Sequence, residues 1–262
     1  MKNNLCLTSV DVIKTAIKSS GKSKKDFEVD PNIFLIFSRY LLEFLTEKAE
    51  LESFEWLTPY HPYAAPEKIF RGKYHDIPLT ILIPPMGASP MASIAEDLIQ
   101  CGAKLILLIC GSWGIGKDVK LLDYLIPTHG LGSDGTSIHY GRNVEEEIEI
   151  DKGITNIIVE ETSKRTKNYH IGKNYSKEAF YSITKEEIYN LQNRGFISME
   201  NGELNVLATV TKLKNVRFGA IFYSYYNPLE GWKIPWIQDQ YKSCVKLEGE
   251  IALGTIKNIK KK

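Results

Sequence analysis

The strongest candidate for charge-stabilising chemistry in this chain is the carboxylate that ends Phe196-Ile197-Ser198-Met199-Glu200. A strand that finishes in Met-Glu and turns directly into an apolar helical run, residues 204–210, sets one acid at the lip of a pocket. Three further segments carry matching chemistry: Met86-Gly87-Ala88-Ser89, Gly111-Ser112-Trp113-Gly114 and the aromatic pair Phe180-Tyr181. Glycine lets a ligand approach the backbone closely. Exposed N–H groups in such turns form anion-binding concavities, to which Ser112 adds a hydroxyl donor. An aromatic face stacks on a flat ring. Together these elements can hold a sugar, a base and an anion.

The elements that must position them alternate between strand and helix. Residues 32–37 and 79–83 read as buried strands, and residues 40–50 as an amphipathic helix. Pro84-Pro85 breaks the second strand. Ser89-Pro90 then predicts a helix start with Ser89 as N-cap, ending near Cys101-Gly102. Residues 104–110 are apolar on both faces, as expected for the middle of a covered sheet. Further strands are expected at 121–127, 156–160 and 217–224, and a closing helix at 240–259. Thr184-Lys185-Glu186-Glu187 has capping-box spacing and opens a helix that Gly195 closes. Alternation of this kind argues for a three-layer α/β domain. Residues 1–30, with a helix at 10–19 and a Lys-rich loop, read as a peripheral segment before one domain spanning 31–262.

At 262 residues with 43% hydrophobic and 25% charged content, the chain is long enough for a sizeable core. A formal charge of +1 gives no reason to expect nucleic acid or a membrane surface as partner. The basic end, residues 257–262, reads as a solvated tail. Cys6, Cys101, Cys110 and Cys244 show no CxxC spacing, which argues for free thiols in a reducing cytoplasm and against structural zinc. The longest apolar run, 105–110, is far too short to cross a bilayer.

Ser133-Asp134-Gly135-Thr136-Ser137-Ile138-His139-Tyr140 completes the set. In this order the motifs resemble the nucleoside phosphorylase family, specifically its uridine-phosphorylase-like, hexameric branch, over roughly residues 79–227. The resemblance implies a three-layer α/β/α domain with a mixed central sheet. It also implies cleavage of the N-glycosidic bond of a ribonucleoside by phosphate, giving free base and ribose 1-phosphate. Glu200 would be the catalytic residue, accepting hydrogen bonds from the ribose 2′- and 3′-hydroxyls and stabilising the oxocarbenium-like charge. Met199 and Ser112 would join Glu200 at the ribose. Phe180, Tyr181, Gly114 and Tyr225 would face the base, and Ser112, Arg39, Gly87 and Arg71 the phosphate. No metal or organic cofactor is implied, inorganic phosphate being the co-substrate. The expected assembly is a homo-oligomer, a dimer or trimer of dimers, in which a neighbour completes each site.

Several positions depart from the family's pattern. Ser198 stands where the family has a first glutamate, and Phe37-Ser38-Arg39 where it has a Gly-Asp-Pro-x-x-Arg phosphate loop. Ile109 replaces an arginine two residues before Gly111, and Pro85 replaces a loop glycine. The positions that hold uracil fall on Thr184 and Glu186, and the Ser-Asp pair that serves purines falls on Ser224-Tyr225. Two other readings therefore stay open beside phosphorolysis: hydrolysis of the same bond by water, and a non-catalytic nucleoside-binding homologue.

Overall fold

The computed structural model describes residues 5–57, 65–233 and 239–259. The strands are β1 (Asn32–Ile36), β2 (Glu50–Ser53), β3 (Lys68–Tyr74), β4 (Ile77–Ile83), β5 (Leu105–Gly114), β6 (Tyr124–Gly132), β7 (Ile148–Glu149), β8 (Tyr169–Ser176), β9 (Phe196–Glu200) and β10 (Arg217–Tyr226). They form one mixed sheet in the order β10-β6-β8-β9-β5-β1-β4-β3-β2. Because β10 also pairs with β5, the strands β5, β10, β6, β8 and β9 close into a ring, and β1 to β4 fan out from it. The helices are α1 (Ser9–Ser20), α2 (Arg39–Lys48), α3 (Ala88–Gln100), α4 (Gly135–His139), α5 (Lys152–Ser163), α6 (Lys185–Asn193), α7 (Glu203–Leu213) and α8 (Asp239–Ile259).

Two cores flank the sheet, and strand alternation fills both. Along β5, Ile106, Leu108 and Cys110 enter the core shared with α1, α3 and α7, while Leu105, Leu107 and Ile109 enter the one shared with α2, α5 and α8. This is the expected three-layer α/β/α arrangement. Ile13 and Ala16 of α1 are buried against α3, so the N-terminal segment contributes to the first core. Of the basic end, residues 260–262 lie outside the described residues.

Four sequence expectations need correction. Residues 156–160 lie inside α5, where Asp151 Oδ1 accepts from Ile154 N–H as the N-cap and Ile154, Ile157, Ile158 and Glu161 bury one helical face. Residues 121–127 overlap only the start of β6. The α3 N-cap is Gly87 rather than Ser89, with φ of 104°, a conformation that favours glycine. Finally, β2, β3 and β8 were not expected; all are half-exposed strands lacking the continuous apolar run of β5.

Candidate active site

The parallel strands β1, β4, β5 and β10 all end at the same edge, and β9 brings its last residues to it against the end of β5. There they enclose a cavity of about 360 Å³ whose lining includes Ser38, Met86, Ser112, Phe180, Met199, Glu200, Glu203 and Tyr225. Ligands of open α/β sheets collect at this edge. The volume falls within the range of small-molecule sites.

Glu200 is the last residue of β9 and only 5% exposed. One carboxyl oxygen, Oε1, accepts from Asn174 Nδ2 at 3.1 Å and from the Ser176 hydroxyl. The other, Oε2, accepts from the Leu204 N–H at 3.3 Å in the first turn of α7. Burial holds this carboxyl well above the usual carboxylate range, and the neighbouring Glu203 carboxyl, in hydrogen-bond contact with it, pushes the same way. Glu203 is equally buried, and its Oε1 accepts from the Gly87 N–H at 2.7 Å, tying the β4–α3 loop to the start of α7. Asn174 is itself oriented, since its Oδ1 accepts from the Ser198 hydroxyl at 2.8 Å. Serine at position 198 thus takes part in holding the acid.

At the other end, Phe180 stacks on Trp113 with ring centroids 4.6 Å apart, and Tyr226 meets Trp113 edge-on. Trp113 Nε1 donates to the Tyr225 hydroxyl at 2.8 Å, leaving the phenol's own proton for a ligand. Burial pushes the Tyr225 hydroxyl up to about 12, so it remains a neutral donor. Ser112 Oγ is buried on the cavity wall with no partner among the described residues. Cys110 lies on the same wall as a thiol rather than a thiolate, because burial raises its pKa strongly and three nearby glutamates add to the rise.

The cavity thus brings together Glu200, Met199, Ser112, Phe180 and Tyr225 from the sequence-level set. Gly87 borders it through the bond to Glu203. Gly114 packs against Ser224 and Val119 instead of the cavity wall, and the Tyr181 ring is fully exposed. Arg39 Nη2 pairs with Glu67 Oε1 at 2.6 Å on the surface. Arg71 stacks over Phe54 at 4.8 Å and donates to the Glu28 carbonyl. Neither arginine lines the cavity, and among the described lining residues there is no lysine, arginine or histidine. Asp134 caps α4 and accepts from Asn205 Nδ2 at 2.5 Å, so the Asp-Gly-x-Ser segment anchors α7 from outside the cavity.

Sequence reasoning passed over Glu203 and Asn174, and it gave Ser176 no role at the acid. Glu203 reads as an ordinary first-turn acid at a helix N-terminus. Asn174 and Ser176 lie on the unexpected strand β8, where their alternate spacing was the available signal. Among the described residues no three His, Cys, Asp or Glu side chains cluster as a metal site, and no helix is long and apolar enough to cross a membrane.

Comparisons with known proteins agree with this architecture. A purine nucleoside phosphorylase from Toxoplasma gondii, solved with immucillin-H, superposes with a TM-score of 0.76 at 14% identity, covering 92% of this chain and 94% of that one. A uridine phosphorylase from Vibrio fischeri ES114, solved with 6-hydroxy-1-naphthoic acid, gives a TM-score of 0.72 at 18% identity, covering 90% and 94%. In sequence, a uridine phosphorylase of Thermococcus kodakarensis is 27% identical over 110 residues, a stretch that spans 42% of this chain and only 39% of that relative. The phosphorylase superfamily model matches residues 35–232, which is most of the chain and contains every cavity residue named above. By that match, the chain belongs to the phosphorylase superfamily.

Proposed function

We propose that the chain cleaves the N-glycosidic bond of a ribonucleoside. The observation that carries this reading is the placement of Glu200 and Met199 in one cavity with Phe180, Ser112 and Tyr225. A ribose resting on Met199 presents its vicinal hydroxyls to the Glu200 carboxyl, whose position is fixed by Asn174, Ser176 and the Leu204 N–H. As the bond to the base lengthens, the sugar ring gains positive charge, and a carboxyl group already oriented in a water-poor cavity favours that state. The base lies against Phe180, whose rear face is backed by Trp113. Tyr225 donates a hydrogen bond to the departing base. No metal or organic cofactor enters these steps.

Kinship with uridine and purine nucleoside phosphorylases supports phosphate as the acceptor of the ribosyl group. A second reading, with water as acceptor, is favoured by the absence of a cation among the described lining residues. Phosphate sites depend on charge-assisted, commonly bidentate contacts, each roughly twice as strong as a neutral hydrogen bond. The test is base release from a panel of purine and pyrimidine ribonucleosides, with and without phosphate, by wild type and Glu200→Gln. Release by wild type that the substitution lowers about 10²–10³-fold is expected. Failure to release base from any ribonucleoside would overturn the reading.

A further inference from the structure

The described lining of the cavity holds two buried carboxyls, Glu200 and Glu203, and no lysine, arginine or histidine. A third carboxyl, Glu248, is fully buried within electrostatic reach of Cys110 and Tyr223 on the wall, and neither of its oxygens has a partner among the described residues. Much of the remaining lining is aromatic: Phe37, Phe180, Tyr223, Tyr225, Trp232 and Tyr241. The Ser112 hydroxyl on the same wall is buried and unpartnered, a polar group left for a ligand.

These features favour a ligand that carries positive charge. Opposite charges attract far more strongly in a low-dielectric pocket than in water. Aromatic faces attract cations as well, most strongly where water is excluded. Burial holds the Glu200 and Glu248 carboxyls above the usual range, and a cation beside them would draw them back toward the ionised form.

The base end lacks what an uncharged nucleoside needs. A neutral base leaves as an anion unless a group of suitable pKa gives it a proton. Tyr225 is the donor placed there, and burial pushes its hydroxyl up to about 12, so it can hold a base but is a poor source of a proton. A base joined to ribose through a positively charged ring system needs no proton to leave.

We propose that the cavity selects ribonucleosides whose base carries a fixed positive charge, an N-ribosyl pyridinium or an N7-alkylated purine, over uncharged ones, with Glu203 setting the preference. The inference rests on the proposed cleavage of an N-glycosidic bond and names the substrate class for it. Glu203 is suited to the role because the Gly87 N–H fixes its Oε1 at 2.7 Å, and it lies within electrostatic reach of Tyr225. In the step, the C1′–N bond breaks with its electron pair passing to the base, which thereby loses its positive charge. An oxygen of the acceptor forms the new bond to C1′, and where the acceptor is water its proton goes to solvent.

The experiment uses the full chain and the carbocyclic analogue of nicotinamide riboside, a pyridinium that cannot form the oxocarbenium ion and so stays intact. Its uncharged 1,4-dihydro form is the control. Calorimetry should give a Kd roughly 10- to 100-fold lower for the pyridinium. Equal Kd values, or tighter binding of the uncharged form, would overturn the inference. Glu203→Gln keeps an oxygen for the Gly87 N–H and should shrink the ratio of the two Kd values by about tenfold. A purely structural Glu203 would weaken both ligands alike and leave the ratio intact, which would overturn its role in selection. If the variant does not fold, the wild-type ratio still decides the preference. Release of nicotinamide from nicotinamide riboside itself tests the cleavage reading separately. Tight pyridinium binding with no release from any ribonucleoside would sink that reading alone, whereas release from uncharged ribonucleosides without a binding preference would sink only the inference.

Discussion

Asn174 of β8 pairs in register with Ser198 of β9, and its Nδ2 reaches along the strands to donate to Oε1 of Glu200 at 3.1 Å. The direction of the amide is set from behind, because its oxygen accepts from the Ser198 hydroxyl. Asn174→Ala therefore removes a buried donor to Glu200 and strands the Ser198 hydroxyl at once. A loss of about 1–3 kcal/mol in unfolding free energy is expected, read by urea denaturation. The turnover number should also fall by at least tenfold or so, because a misplaced carboxyl forfeits preorganised stabilisation. Ser198→Ala, which leaves Nδ2 in place, should have the milder effect on both. Equal activity in wild type and Asn174→Ala would show that the amide does not position the acid.

Phe180 and Tyr181 are adjacent, yet only the first lines the cavity while the second projects its whole ring into solvent. If the base stacks on Phe180, Phe180→Ala should weaken nucleoside binding by about 1–3 kcal/mol, the usual worth of a base–aromatic contact. KM or a calorimetric Kd would report this as a rise of roughly five- to 150-fold. Tyr181→Ala should leave both quantities unchanged in an isolated subunit. A reversed pattern would move the base to the outer face of the pair.

How much of this was legible in the sequence depends on what each residue's job demands of its neighbours. β1, β4 and β5 were visible because both faces are covered, which forces an unbroken apolar run such as residues 105–110. β8 was hidden because its residues are mostly half-exposed and polar, so that the alternate spacing of Asn174 and Ser176 was too faint to mark a strand. Residues 156–160 misled because β-branched isoleucines and a valine suit a strand as well as a helix face, and the deciding signal was the Asp151 cap upstream. Glu200 was legible through motif order, since its place at the end of a strand before a buried helix is local. The positions of Arg39 and Arg71 were not, because a long cationic side chain reaches whatever partner the tertiary fold supplies. Here those partners are Glu67 and Phe54. The Glu200–Glu203 contact was written in the i, i+3 spacing, but the chain crosses from strand to helix at Gly202, which obscures it.

Gly202 occupies that crossing with φ of 106°, a region that side-chain-bearing residues adopt only under strain. An added Cβ would also stand 2.9 Å from the Ala88 Cβ at the start of α3. Both effects push α7 away from α3 and shift Glu200 and Glu203 together. Gly202→Ala should cost about 1–3 kcal/mol of stability from the backbone conformation alone. Activity should fall further than the folded fraction does, which a comparison of kcat with the circular dichroism signal would reveal. Unaltered stability and turnover would mean that the two helices part without disturbing the site.

The pH dependence of stability follows from buried carboxyls whose pKa values burial raises. Burial raises Asp97 from 3.8 to about 7, and it holds Glu248 well above its ordinary range. Both Glu248 oxygens are buried without a partner among the described residues. Each such group holds its proton in the folded state at a pH where the unfolded chain has already released it. The folded state then binds more protons, so stability falls as pH rises. For Asp97 the fall runs between about pH 4 and 7 and amounts to at most ~4 kcal/mol at 1.36 kcal/mol per unit. For Glu248 it begins near pH 4.5 and continues past the Asp97 window. Asp97→Asn should therefore flatten the melting-temperature profile between pH 4 and 7. Glu248→Met, which replaces an unsatisfied polar group with an apolar one of similar volume, should raise stability at neutral pH by about 1–3 kcal/mol. Thermal scans from pH 4 to 8 on the two variants check both. A profile that climbs with pH in wild type, or a Glu248→Met variant that melts earlier at neutral pH, would mean that these acids find a cation or a solvent path in the folded protein.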